Sequence, residues 1–174
     1  MTKFKILSLT ALMFTSLTVG AAPFGGEDDV NYAKQLWNSM SSASYVGDNS
    51  IMSTPYTGQH PHGAVLDTIE GPVLMGNKLH HVIIKRNYGG EGVSKMAVAN
   101  NPAKYLKAVT VMLKREGYDP ENNDWFWVKY KADGSLDKNP KGMQLAGRVA
   151  KGMPVGCIAC HKAAPGGDMI FNHD

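Results

Sequence analysis

The only two cysteines of this 174-residue chain stand three positions apart near its end, and a histidine follows directly. The segment reads Cys157, Ile158, Ala159, Cys160, His161. Two thiols at this spacing reach the two vinyl groups on one edge of a porphyrin, and the imidazole that follows falls under the iron. The segment therefore predicts one covalently attached haem c, with Cys157 and Cys160 as anchors and His161 as proximal iron ligand. The fold must then build its core around a large apolar cofactor.

Three other roles for a cysteine pair fit this chain less well. A thioredoxin-type redox pair lies early in the chain at the end of a βα unit, whereas this pair is near the C-terminus. A structural zinc site needs four ligands, and the chain has no third cysteine. A disulfide across two residues is strained and gives His161 no role. Haem attachment is the interpretation that uses all three side chains.

The beginning of the chain has the pattern of a secretory signal peptide. Lys3 and Lys5 open it, an apolar stretch follows, and the segment closes on Val19, Gly20 and Ala21. Serines and threonines interrupt the apolar stretch, which is shorter than the roughly 20 apolar residues that a membrane-spanning helix needs. We expect residues 1–21 to be a cleaved export signal.

Cleavage at this point leaves residues 22–174 as a single haem-binding cytochrome domain. The formal charge of the whole chain is +3, and two of these positive charges belong to the signal. No run of five like charges occurs, so a nucleic-acid partner is not expected. No later segment is apolar and long enough to span a membrane. The sequence predicts a soluble, nearly neutral protein in the periplasm.

Hydrophobic periodicity divides this domain into helical and extended parts. Asp28 and Asp29 form an N-cap for a helix whose apolar positions run from Val30 to Met40. Between residues 50 and 88, short apolar pieces alternate with turn residues, which predicts strands joined by tight turns. The apolar pieces are Ile51–Met52, Ala64–Leu66 and His81–Ile84, and the turns are Gly71-Pro72, Gly76-Asn77 and Gly89-Gly90.

The second half of the chain continues the mixed pattern. Asn101 and Pro102 predict a helix start. One face of that helix would carry Tyr105, Leu106, Val109, Met112 and Leu113. The segment Trp125–Tyr130 predicts a strand with both tryptophans on one face and Phe126, Val128 and Tyr130 on the other, covered on both sides. A last helix is predicted from Met143 to Lys151, before the cysteines. The chain is thus of the α+β class.

The sixth coordination position of the iron decides the function, because an open site binds gases and a second strong ligand favours electron transfer. His60 and His62 flank Pro61 in a turn-rich segment and share parity, so both would face one side of an extended chain and one of them could face the haem. A solvated loop is the alternative. The other candidates are His80, His81, His173, Met52, Met75, Met96, Met112, Met143, Met153 and Met169.

The chain resembles the cytochrome P-460 and cytochrome c-prime-beta family. The resemblance rests on Cys157–Lys162, on Asp168–Phe171, on the aromatic strand Trp125–Tyr130 and more weakly on Thr57-Gly58 with Gly63. It implies a periplasmic homodimer, an antiparallel β-sheet with flanking helices, and one haem c with His161 as proximal ligand.

The two branches of this family imply different functions. The P-460 branch oxidises hydroxylamine with a lysine cross-linked to the porphyrin, and this lysine would lie near Thr68. No lysine occurs between Lys34 and Lys78, so a cross-link would need Lys78 or Lys85. The c-prime-beta branch binds nitric oxide or carbon monoxide in a phenylalanine pocket, but no phenylalanine occurs between residues 24 and 126. Apolar cover would have to come from side chains such as Tyr56, Leu66 and Met75.

The sequence therefore leaves three functions open. The first is binding of a small diatomic gas, or redox chemistry, at the iron. The alternative is a six-coordinate electron-transfer cytochrome with a redox partner protein. Hydroxylamine oxidation is disfavoured by the missing lysine.

Overall fold

The structure is a computed structural model that describes residues 24–171. The predicted signal segment, residues 1–21, lies outside the described residues, as does His173. The described chain forms a six-stranded antiparallel sheet in which every strand pairs with its neighbour in sequence. The strands are β1 Tyr56–Thr57, β2 Val65–Met75, β3 Lys78–Tyr88, β4 Leu106–Lys114, β5 Trp125–Lys131 and β6 Ala146–Gly147. The α-helices are α1 Glu27–Ser42, α2 Lys95–Asn100, α3 Pro102–Tyr105 and α4 Cys157–His161. The predicted α+β antiparallel architecture is confirmed.

Helix α1 covers one face of the sheet, which we call the α1 face. Its buried residues Val30, Ala33, Leu36 and Met40 follow the predicted helical spacing. The helix begins earlier than predicted, because Gly26 is the N-cap and both predicted cap residues lie in the first turn. Acidic side chains there stabilise the positive end of the helix dipole. The core of this face includes Ile69, Val73, Met75, Val82, Ile84, Val109, Val111, Leu113, Phe126, Val128 and Tyr130.

The opposite face of the sheet packs against α4, and we call it the α4 face. Trp125 and Trp127 lie here, while Phe126, Val128 and Tyr130 lie on the α1 face, which confirms the predicted alternation of this strand. The buried cluster of the α4 face consists of Ile83, Met112, Trp125, Trp127, Val149, Ala150, Ile158 and Met169. The sheet is therefore covered on both sides.

Two of three expectations about the first strands need correction. Residues 51–52 belong to no strand, and the predicted turn at Gly71-Pro72 lies inside β2. Pro72 is tolerated there because β1 pairs only with Val65 and Leu66, so β2 is an edge strand at the proline. The hairpin turn at Gly76-Asn77 is confirmed, and Gly76 supplies the positive φ of 63° that this turn requires.

The helix predicted from Asn101 is wrong beyond its first turn. Asn101 caps α3 as expected, accepting a hydrogen bond from the Lys104 amide, but the helix ends at Tyr105 and β4 follows. Apolar residues occur on both faces of this segment, so its pattern fits both the helical and the strand period. The β-branched run at 109–111 favours the strand.

The helix predicted over residues 143–151 is also wrong. This segment contains only the short strand β6 and turns. Gly147 has a φ of 99°, outside the helical region, and a Cβ there would lie 2.1 Å from Oδ2 of Asp29. The close approach of this backbone to α1 therefore requires a glycine and interrupts the helix.

Candidate haem site

The two cysteines and the histidine lie on α4, a helix of five residues. The turn before it is tight, since Gly156 has a φ of 136° and a Cβ there would lie 2.3 Å from the Cβ of Ala150. The helix turns Ile158 and His161 inward and leaves Cys160 exposed and Cys157 half-buried. One turn of helix thus presents two thiols next to a buried imidazole.

His161 is fixed in orientation by the chain that follows it. Its Nδ1 lies 2.8 Å from the carbonyl oxygen of Met169, so Nδ1 carries the proton and donates it. The ring packs against Trp127 and Phe171, with centroid distances of 4.8 and 5.4 Å. Burial lowers the pKa of His161 to about 4. The imidazole is therefore neutral, and its Nε2 lone pair is left for a metal ion.

The thiols lack the features of a redox-active pair. Burial raises the pKa of the Cys157 thiol to about 11, whereas thioredoxin-type cysteines act as thiolates with a lowered pKa. Both cysteines are free thiols in the structure. Two free thiols beside an imidazole with a free Nε2 match the needs of haem attachment.

His62 lies next to His161 over the α4 face, whereas His60 is exposed. The centroids of the two rings are 6.2 Å apart and the rings are nearly perpendicular, at 88°. The two residues are 99 positions apart in the chain, so the fold alone brings them together. Of the two loop histidines predicted from sequence, His62 is the one near the motif.

Asn87 on β3 determines the tautomer of His62. The Asn87 amide donates to the carbonyl oxygens of Lys85 and Ala108, at 2.8 and 3.3 Å, and this fixes its Oδ1 towards the histidine. The Nδ1 of His62, 3.0 Å from that oxygen, must then be the donor. Burial lowers the pKa of His62. His62 is therefore a second neutral imidazole with Nε2 free, and sequence reasoning missed Asn87 because the contact depends on strand register.

Two glycines let the loop of His62 lie directly on β3. A Cβ at Gly63 would lie 2.4 Å from the carbonyl oxygen of Tyr88, and a Cβ at Gly58 would lie 1.9 Å from that of Gly63. The amide of Gly58 donates to the carbonyl of Ala64, which closes the loop. The glycines noted in the sequence are thus required by close backbone contact.

Lys85 is a buried cation beside the two histidines. It lies on β3 with Thr68 and Thr110 as its cross-strand neighbours, and it is only 9% exposed. Within residues 24–171 its ammonium group has neither an ion pair nor a hydrogen bond, and burial lowers its pKa. Its charge also lowers the pKa of both His62 and His161. Lys78, the other lysine considered, is bound to the exposed Glu116 instead.

The remaining ligand candidates lie elsewhere or serve the core. His80 contacts the carbonyl of Lys114, and His81 lies 3.1 Å from Glu70 at the far end of β3. Met112 is in the buried cluster of the α4 face, where it packs as a core residue. Met75 is on the α1 face, so it cannot cover a group bound at His161.

These residues fit a haem. Two thiols and one imidazole with a free Nε2 supply the donor set. Trp127, against His161, has a buried indole N–H without an acceptor in the described part of the chain, and Lys85 there has no carboxylate partner. A haem brings two propionate carboxylates, the acceptors that such groups need.

Comparison with known proteins identifies the family. A profile described as Cytochrome P460 matches residues 76–172, more than half of the chain. The match spans β3, β4, β5 and the cysteine motif. No curated protein and no solved structure matches the chain. The family implies a haem cofactor, which agrees with the donor set on α4. The chain belongs to the cytochrome P460 family.

Proposed function

We propose that this protein is an exported cytochrome with a single haem c, attached through Cys157 and Cys160 and ligated by His161, that acts by redox or gas-ligand chemistry at the iron. The observation that carries the proposal is the hydrogen bond from His161 Nδ1 to the Met169 carbonyl. It holds the imidazole with Nε2 free at the position that the two thiols define. When bound, the haem supplies an iron that exchanges one electron or binds a diatomic gas.

The residues around His161 would orient it and exclude water. Trp127 and Phe171 pack edge-on against the imidazole and limit its rotation. Ile83, Met112 and Ile158 line the same buried cluster. Buried surroundings with few hydrogen-bond donors favour iron ligands of low charge. Lys85 is the charged side chain that acts on His161 there, and its charge lowers the pKa of the imidazole further.

Nitric oxide and carbon monoxide are the gas ligands we propose, and an electron-transfer role with a redox partner protein is the second candidate. A specific observation favours the second: the imidazole of His62 lies beside that of His161, with ring centroids 6.2 Å apart, so a second nitrogen ligand is at hand. Hydroxylamine oxidation is the least supported, because the family resemblance expects a lysine near Thr68 and no lysine occurs between Lys34 and Lys78.

The periplasmic location and a homodimeric state also belong to this proposal. The signal-like pattern of residues 1–21 and the family support the location. In the part of the chain that the structure describes, none of the helices has the length and apolarity to cross a bilayer.

A pyridine haemochrome assay on protein expressed with haem-attachment machinery tests the proposal. We expect one haem c per chain, retained after acid–acetone extraction. The double variant Cys157→Ser, Cys160→Ser should lose covalent haem, whereas His81→Ala, a histidine at the far end of β3, should keep it. Absence of haem c in the unsubstituted protein, or covalent haem retained by the double variant, contradicts the proposal.

A further inference from the structure

The structure places two imidazoles so that both leave the same nitrogen free. Nδ1 of His161 donates to the Met169 carbonyl, and Nδ1 of His62 donates to Asn87 Oδ1. Each ring therefore keeps Nε2 as its only lone pair. The two hydrogen-bond partners come from different parts of the chain, β3 and the segment after α4.

The separation of these rings suits a shared metal ion. An imidazole nitrogen binds a transition-metal ion at about 2 Å, so two imidazoles bound in line on one ion have ring centres about 6 Å apart. The observed centroid distance is 6.2 Å. Rings in van der Waals contact would lie closer, as Trp127 does to His161 at 4.8 Å.

We propose that His62 is the second axial ligand of the haem iron, opposite His161, and that Asn87 is the residue that positions it. The inference rests on the proposed function, since it requires the haem that Cys157 and Cys160 would anchor. It makes the resting iron six-coordinate with two imidazole ligands.

The surroundings of His62 support a fixed rather than a solvated side chain. Asn87 is only 5% exposed, and its amide is held by two backbone carbonyls of the sheet. Thr110 Oγ1 lies 3.4 Å from His62 Nδ1 and accepts from the Asn87 amide at 3.2 Å. A positioned Nδ1–H is the usual second partner of a metal-binding histidine.

This ligation would change how the iron meets external ligands. A gas must then compete with His62 for the iron, so its apparent affinity equals the intrinsic affinity multiplied by the fraction of molecules in which His62 has dissociated. One-electron exchange needs no such displacement. The inference therefore favours electron transfer, or gas binding coupled to release of the 58–64 loop.

Spectroscopy of the unsubstituted holoprotein gives the first test. We expect a low-spin ferric iron by electron paramagnetic resonance, and a near-infrared magnetic circular dichroism band typical of two imidazole ligands. A high-spin five-coordinate iron, or a band typical of histidine–methionine ligation, overturns the inference. Because this test needs no variant, it stands even if substitutions prevent folding.

The variant His62→Ala, with His60→Ala as matched control, gives the second test. His60 is exposed and lies in the same loop, so its loss changes the loop equally without removing the ligand. We expect His62→Ala to become high-spin, to return to low-spin with added imidazole, and to bind carbon monoxide about tenfold or more tightly in the ferrous state. His60→Ala should match the unsubstituted protein. Unchanged spin state and carbon monoxide affinity in His62→Ala overturn the inference.

Asn87→Ala tests the positioning role separately. We expect a mixture of spin states and intermediate carbon monoxide affinity, because the imidazole remains but loses its fixed tautomer. If Asn87 does not position His62, the spin state and the carbon monoxide affinity of Asn87→Ala will both be unchanged, and this result overturns its positioning role. Failure of the haemochrome assay would refute the haem c proposal itself, whereas a haem-loaded but five-coordinate protein would refute only the role of His62.

Discussion

Lys85 lies directly opposite Thr68 in the antiparallel pairing of β2 with β3. The family resemblance expects a porphyrin-linked lysine near Thr68, so this chain carries its amine one strand away from that position. Neighbouring strands are about 4.8 Å apart. The amine therefore reaches the α4 face from a different backbone position.

Because of this offset, we expect no third covalent link to the haem. Mass spectrometry of tryptic haem peptides should find haem only on the peptide of Cys157 and Cys160. The variant Lys85→Arg should give the same haem peptide mass. A haem peptide that also contains Lys85 would contradict this expectation and would favour hydroxylamine oxidation.

The loop that carries His62 should not tolerate a side chain at Gly63. A Cβ there would lie 2.4 Å from the Tyr88 carbonyl oxygen, so we expect Gly63→Ala to push the loop away from β3. The haem content should stay the same, while the ferrous protein binds carbon monoxide more tightly, towards the level of His62→Ala. The control is Gly89→Ala, where the nearest atom would be a flexible Lys107 carbon at 3.6 Å. Equal carbon monoxide affinities in the two glycine variants would contradict this account.

A buried ion pair between β2 and β3 should matter for stability. Arg86 donates two hydrogen bonds of 2.7 Å to Asp67, whose side chain is fully buried. We expect Arg86→Met to lower the free energy of unfolding by about 3–5 kcal/mol, because Asp67 is left as an uncompensated buried charge.

Urea denaturation checks this value. Lys78→Met is the control, since Lys78 and Glu116 form an exposed pair that water and salt screen, so its loss should cost much less than that of Arg86→Met. If both variants lose a similar free energy of unfolding, the burial of Asp67 does not account for the effect of Arg86→Met.

Stability should fall at alkaline pH because two buried tyrosines must ionise on unfolding. Burial raises the pKa of Tyr88 and of Tyr130 well above the usual value of 10. A tyrosine with a raised pKa in the folded state contributes stability that is fully present below pH 10, the pKa in the unfolded state. This stability is lost as the pH rises from 10 towards the folded-state pKa. Each tyrosine should contribute a slope of about 1.4 kcal/mol per pH unit there.

Urea unfolding at several pH values between about 8 and 11.5 measures this slope. Tyr130→Phe removes one of the two groups, and its slope should be smaller. It should also be less stable at pH 8 by about 1–3 kcal/mol, because the carbonyl of Ala33 loses its hydrogen bond from the Tyr130 hydroxyl. If Tyr130→Phe leaves the dependence of the unfolding free energy on pH unchanged, Tyr130 is not one of the groups that cause it.

Local patterns in the sequence were sufficient where a single period dominates. The alternation of β5 and the spacing of α1 both describe an element with one clearly buried face, and both are confirmed. The helices predicted over residues 106–113 and 143–151 are wrong for different reasons. The first is apolar on both faces, and the second is interrupted by a glycine that the approach of α1 requires.

The haem site likewise has one part that a short stretch of sequence predicts and another part that depends on contacts between distant residues. The motif on α4 is local, so its three residues could be named from spacing alone. The partners of the histidines are not local: Asn87 meets His62 through the register of β2 with β3, and Met169 meets His161 through the path of the final loop. Neither contact has a signal within a short stretch of sequence.

The order of the strands also has a consequence for assembly. Each strand pairs with the next one along the chain, so no strand pairing has to wait for a distant part of the chain. The core of the α1 face consists of residues between Val30 and Ala146, all of which precede the cysteine motif in the chain. The segment with the cysteine motif can therefore fold last, and the haem can be attached to a sheet whose α1 face is already packed.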